Sequence, residues 1–399
     1  MKKLFSCLSV FIICSLPMIN IHATSPSQQQ QQVELNCLEA LIADPLLLDQ
    51  FFDGCPSSLP GNRITAIELS RKQLDTITGV LSDNVNTHFM NGLFNRNRDY
   101  ALNKREGNPR SLGMNAGDPF STLSFWGNFS YDILDNEFIN TPYDSNTKTF
   151  MAGADILPMD NMVLGLALGY EDTSTDTDFN TGEQDIDGYT FAGYFGYLLN
   201  DFFSIDMAGG YSSIDIEQRR LSDSFLEFTP PALTPNAFFG TPTGTTITGE
   251  VDADRLFFAV NINGYWHVNN FIIDGHAGYL WAEEDQDRFI ETTGTLTDDF
   301  GDREYELGQV RIGANVAYDF RSFLEPYFGV EYLNETTREE LRLLPGMAQP
   351  ANDDDEVLFT LGMRYFSNYG ITGDLKLNIT SGREDINAYS LMLLLRAEL

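Results

Sequence analysis

Residues 251–283 read VDADRLFFAVNINGYWHVNNFIIDGHAGYLWAE, and the fold is decided by how this stretch alternates. Leu256, Phe258, Val260, Ile262, Trp266 and Val268 share one side of a two-residue period, while Asn261, Asn263 and His267 share the other. Asn269-Asn270 interrupts the run, and a second alternating segment starts at Phe271. Two such segments around a two-residue Asn turn predict an antiparallel hairpin with one apolar and one polar face.

Working outward, the same period recurs in Thr122–Asp132, Thr147–Leu157, Met162–Asp172, Asp187–Leu199 and Phe202–Ile214 before the hairpin. After it come Tyr305–Phe320, Phe323–Asn334, Glu356–Phe366, Gly370–Thr380 and Ile386–Leu399. In the first of these, Leu123, Phe125, Phe129 and Tyr131 oppose Ser124, Asn128, Ser130 and Asp132; in Phe323–Asn334, Leu324, Pro326, Phe328, Val330 and Tyr332 oppose Glu325 and Glu331. Asp187–Leu199 is apolar on both faces and gives no side. The connections alternate. Brief turns, among them Pro158-Met159-Asp160-Asn161, Asn200-Asp201, Arg321-Ser322 and Ser367-Asn368-Tyr369, separate links that are mostly long and acidic or rich in Pro, Gly and Thr. Long loops gathered at one end are expected of an outer-membrane barrel, not of a soluble sandwich. The predicted fold is therefore all-β: a transmembrane antiparallel β-barrel of about twelve strands over 118–399. Trp266, Tyr279, Trp281 and Tyr365 stand near strand ends and suit interfacial girdles.

A formal charge of −34 disfavours nucleic acid as a partner. The acidic residues crowd into Glu171–Asp187, Glu283–Asp302 and Asn352–Glu356, which are expected to be water-exposed loops. At the other end of the chain, Lys2 and Lys3, an apolar run from Leu4 to Leu16 and Ile21-His22-Ala23 predict a signal peptide over 1–23, cut after Ala23. Export by the general secretory route leaves Cys37 and Cys55, an even pair expected to form a disulfide within the segment 24–61. Cys37–Phe52 reads as a short helix. Within 62–117, Leu74, Ile77, Leu81, Val85, Phe89 and Leu93 recur at steps of three and four, one face of an amphipathic helix from about Ile64 to Asn95. At 1.5 Å per residue it would extend about 50 Å, enough to thread a pore, although an ordinary packed or coiled-coil helix has the same spacing. A turn-rich linker, Gly107-Asn108-Pro109 to Gly117-Asp118-Pro119, leads into the barrel.

The aromatic-Gly opening strand Phe125-Trp126-Gly127-Asn128-Phe129 and the run Phe191-Ala192-Gly193-Tyr194-Phe195-Gly196-Tyr197, with twelve strands and a long helix upstream, resemble the translocator β-barrel domain of autotransporters, the type V secretion family. The resemblance implies an outer-membrane barrel that anchors or exposes an N-terminal segment. It implies outer-membrane lipid, periplasmic chaperones and the barrel assembly machinery as partners, and the chain's own helix as an occupant of the lumen. The chain departs from the family in ending Leu395-Arg396-Ala397-Glu398-Leu399 in place of a terminal aromatic, though Tyr389, Leu391, Leu393, Leu395 and Leu399 keep the alternation of an assembly signal. Only about 90 residues separate the predicted signal peptide from the barrel, too few for a long β-helical passenger.

With the apolar faces turned to lipid, Asp206, Asp274, Arg311, Glu325, Glu331, Arg364, Asp374, Lys376 and Arg396 fall on the lumen side. Charges of both signs there can pair with one another, hydrate a pore or grip an inserted helix. No cofactor or metal motif is present, and His88, His267 and His276 have no nucleophile elbow to serve. Two other readings stand beside the translocator: a porin-like or structural outer-membrane protein, and an outer-membrane hydrolase working through His267 and His276.

Overall fold

The computed structural model describes residues 68–90, 123–138, 142–159, 161–178, 181–221, 246–293, 296–300, 302–320, 323–337, 353–367 and 371–398. The predicted signal peptide with Ala23, the Cys37–Phe52 helix, the Cys37 and Cys55 pair, the 107–119 linker, Leu93 and Leu399 lie outside these residues.

Among the described residues, one helix, α1 (68–90), precedes fourteen strands. Twelve of them build the wall: β1 Ser124–Asn136, β2 Tyr143–Met159, β3 Met162–Thr177, β4 Gly182–Asn200, β5 Phe203–Leu221, β6 Thr246–Val268, β7 Phe271–Gln286, β10 Arg303–Tyr318, β11 Leu324–Thr337, β12 Asp355–Phe366, β13 Ile371–Ser381 and β14 Ile386–Glu398. Each pairs antiparallel with its neighbours. The first strand meets the last from Ser124↔Glu398 to Asn136↔Ile386, and β5 meets β6 from Phe203↔Gly264 to Leu221↔Thr246, so the sheet closes without an edge. Closure gives every wall strand partners on both sides, the condition for placing backbone in hydrocarbon. At the turn between β6 and β7, Asn269 adopts φ of 59°, the left-handed conformation that a tight two-residue hairpin asks of its first residue.

The wall alternates as its sequence does. Phe125, Phe129, Phe150, Leu168, Phe191 and Leu361 point outward, while Ser124, Asn128, Ser130, Asp132, Thr190 and Asn263 are buried inside. β4 resolves too: Tyr189 and Phe191 face out, and Ile186, Ala192 and Tyr194 face in, where they lie in apolar clusters with residues of α1.

The acidic stretches expected as loops are largely strand. Glu171–Asp187 forms the far ends of β3 and β4 around a short turn, β7 continues through Glu284 to Gln286, and β8 Phe289–Thr293 and β9 Leu296–Phe300 make a hairpin beyond it that pairs to β6 through Thr248↔Thr292. Here Thr173, Thr175 and Thr177 turn inward and Ser174 and Asp176 outward. Both faces are polar, so a hydrophobic period has nothing to register. β4 and β5 have 19 residues and β6 has 23, well beyond the roughly 9–11 that cross a bilayer, so this side of the wall rises past the membrane on the side of the long links.

Candidate functional site in the barrel lumen

The helix α1 runs through the lumen, about 35 Å of it at 1.5 Å per residue. Its apolar stripe Leu74, Ile77, Leu81, Val85 and Phe89 joins Trp126, Met151, Val163, Ala167, Ala192 and Tyr194 of β1 to β4 in one buried cluster. Gly196 of β4 makes the approach possible: a Cβ there would lie 2.3 Å from Val85 Cγ1. The remaining helix surface is polar and finds partners around the rest of the circumference. Gln73 Nε2 donates to Thr173 Oγ1 (3.1 Å), Ser70 Oγ to Glu284 Oε2 (2.5 Å), and Asn261 Nδ2 to Ser82 Oγ (3.3 Å). Tyr265 Oη donates to Asn86 Oδ1 (2.7 Å).

Ion pairs add to this along the helix. At its first turn, Arg71 meets Glu68 (3.1 Å), Glu335 (3.5 Å) and Glu356 (2.6 Å), and Arg383 contacts the same three glutamates, all nearly inaccessible to solvent. One turn further, Asp75 accepts from Arg311 (3.3 Å), which also holds Glu331 (2.7 Å). Asp83 pairs with Lys376. At the last turn, His88 Nδ1 lies 3.6 Å from Glu398 Oε1 and 3.3 Å from the Arg396 guanidinium.

Each residue singled out on the lumen side therefore has a definite position. Asp206 accepts from Asn261 (2.8 Å), Asn263 (2.6 Å) and Ser82 (3.2 Å). Arg364 lies 4.4 Å above the Tyr327 ring, 3.6 Å from Asp274 and 3.5 Å from Asp374, with buried Glu325 opposite it in the β11–β12 register. Glu331 Oε1 lies 3.0 Å from His276 Nε2 and accepts its N–H in the tautomer protonated there; His267 sits at the far end of β6, exposed. Tyr389, Leu391, Leu393 and Leu395 all project outward from β14.

Sequence reading missed one of the two most deeply buried cations among the described residues. Arg255, only 1% exposed, binds Glu171 (3.3 Å), Glu284 (2.9 Å) and the helix residue Gln73 (2.6 Å). It shares parity with Asn261 and Asn263, so the period that placed those residues inside places Arg255 there as well. Arg71, Arg383, Glu335 and Asp155 were also missed: Arg71 lies on the helix and Arg383 and Glu335 at or beyond strand ends; Asp132 is on the polar face of β1 that the sequence predicts. Between the polar side of α1 and the wall of β6, β7 and β10 to β14 a cavity of about 130 Å³ remains, bordered by Gly79, Asp83, Arg311, Asn315 and Lys376.

The helix has a direction. Its start is held by Glu335, Glu356 and Arg383, at the ends of β11 and β12 that carry the 338–354 link, and its end by Arg396 and Glu398, beside the start of β1 and the brief turns. Residue 68 is thus at the long-link end of the barrel. Brief turns face the periplasm and long links the exterior in outer-membrane barrels.

Among solved structures, the translocator domain of the autotransporter NalP from Neisseria meningitidis matches with a TM-score of 0.56 at 10% identity, over 79% of this chain and 99% of that one. The β domain of the Bordetella autotransporter BrkA matches with a TM-score of 0.53 at 12% identity, over 69% and 99%. At these identities the likeness is one of fold. No curated protein matches the chain. The family model of the autotransporter β-domain matches residues 125–378, nearly the whole wall. The chain belongs to the autotransporter β-domain family: it is a translocator barrel of the bacterial outer membrane with its own helix inside.

Proposed function

We propose that the barrel anchors the chain and exposes on the cell surface the residues that precede α1. The observation that carries this reading is the direction of the helix: the ionic clasp of Glu68, Arg71, Glu335, Glu356 and Arg383 sets its first turn at the long-link end. Whatever precedes residue 68 then leaves through the outer mouth. Export through the general secretory route, with cleavage after Ala23, supplies the barrel to the periplasm. There the Cys37 and Cys55 thiols oxidise to a disulfide, and chaperones and the barrel assembly machinery receive the outward ridge of β14. Outer-membrane lipid covers the apolar belt. The role is that of a carrier without chemistry of its own, in which the lumen charges seat the helix.

The test is an epitope inserted ahead of residue 61, compared with the same epitope in the Asn200-Asp201 turn, both probed by antibody on intact cells. The first is expected to stain without permeabilisation and the second only after it. Staining of the turn alone on intact cells would reverse the orientation and end the proposal.

A further inference from the structure

The seam where β14 closes on β1 is bonded to the helix by Asp132 of β1, which faces Thr76 and Lys72, and by Arg396 and Glu398 of β14 at His88; of these, Arg396 ties the most strands together. Arg396, on the last strand and 1% exposed, makes a bidentate pair with Asp155 of β2 (2.6 and 2.8 Å) that reaches past β1 altogether. Asp155 also accepts from Tyr194 Oη of β4 (2.6 Å), which in turn accepts from Trp126 Nε1 of β1 (2.6 Å). The same guanidinium turns its Nη2 toward His88 Nδ1 of α1 (3.3 Å), and Glu398, the register partner of Ser124, lies 3.6 Å from that imidazole. One buried cation thus bonds the last strand, the second strand and the helix. Away from Asp155 and His88 it would keep only Glu398, 3.8 Å from its Nε, as a counter-charge, and a poorly paired desolvated charge is far costlier than one in water.

We infer that Arg396 is a positioning residue that couples closure of the barrel seam to seating of the helix, each state completing the hydrogen bonds that the other needs. With α1 seated, His88 fills the coordination of Arg396 and the guanidinium locks β14 against β1 and β2. With the seam open, Arg396 is withdrawn from Asp155 and the last turn of α1 loses both Arg396 and Glu398. The inference rests on the helix lying in the lumen and not on which end of the barrel faces outward, so it stands or falls apart from surface display.

Hydrogen exchange by mass spectrometry on the full chain in lipid discs tests it, because local opening is read strand by strand. In His88→Ala, whose side chain belongs to no wall strand, exchange is expected to rise about tenfold in the β1 and β14 peptides and in the last turn of α1, and to stay unchanged in β10 and β11. His88→Asn, which restores an acceptor near the Nδ1 position, is expected to recover most of the seam protection. Arg396→Gln should loosen the same two regions together, and combining it with His88→Ala should add little to either alone. The inference is overturned if the seam keeps its protection in His88→Ala, if every strand exchanges faster in equal measure, or if the two substitutions are additive. Should Arg396→Gln fail to fold, the comparison of His88→Ala with His88→Asn decides the matter alone.

Discussion

Tyr194 lies against the inner wall only because Gly165, on the neighbouring strand, has no side chain: a Cβ there would come within 2.1 Å of the Tyr194 ring. The ring delivers its hydroxyl to Asp155 and receives Trp126 Nε1, both at 2.6 Å. Gly165→Ala is expected to displace the ring, break both bonds and cost about 1–3 kcal/mol, seen as a lower urea midpoint for the compact, unheated form on gels. Gly79 offers the contrast. It lies in the helix with nothing within 4 Å of an added Cβ, beside the cavity. Gly79→Ala should therefore stabilise α1 by about 1 kcal/mol through backbone entropy alone, read as slower hydrogen exchange in 75–85. A glycine that makes room for a ring and a glycine with room to spare look alike in sequence; what a Cβ would meet separates them.

At the scale of elements, the twelve wall strands were legible because lipid outside and side chains inside impose a period of two on hydrophobicity itself. The outer halves of β3 and β4 were hard to read because water bathes their outer face and Glu171, Thr173, Thr175 and Gln184 line much of the inner one, so period two persists in burial while hydrophobicity is nearly flat; in β5 and β6 the period is inverted, with Ile214, Ile216, Ile247 and Val251 inside and polar residues outside. The helix was legible as an amphipathic element, yet its polar face gave no hint of what it would meet. Asp75 and Asp83 are two turns apart and face Arg311 and Lys376, on β10 and β13. Such pairs across long sequence separations cannot be inferred from spacing on either element. They can be tested by exchange of charge: Asp83→Lys should weaken helix seating by about 1–3 kcal/mol, and Asp83→Lys with Lys376→Asp should recover part of it, measured as protease sensitivity at Arg71-Lys72. No recovery in the double variant would mean that the pair contributes through something other than its charges.

For the whole molecule, a closed wall of twelve strands encloses a bore wider than its own side chains fill, and one helix makes up the difference. The packing is uneven. On the side of β1 to β5 the helix is sealed by Trp126, Met151, Val163 and Tyr194, whereas toward β7 and β10 to β13 the contact is polar and leaves the cavity beside Gly79. The plug therefore resists water through ion pairs on one flank and apolar packing on the other. Removing residues 68–90 would take both away and leave Arg255, Arg311, Arg364, Lys376 and Arg396 facing Asp132, Asp155, Glu171 and Glu356 across an aqueous channel. Since those wall charges would then be hydrated instead of desolvated, and wall pairs away from the seam such as Arg311–Glu331 and Arg383–Glu356 persist without the helix, the barrel itself should stay folded. In planar bilayers the full chain is expected to conduct weakly and the deletion variant about tenfold more or better, with a salt-dependent current. Equal conductance from the two would mean that α1 does not obstruct the bore, and the description of the lumen as a plugged one would have to be abandoned.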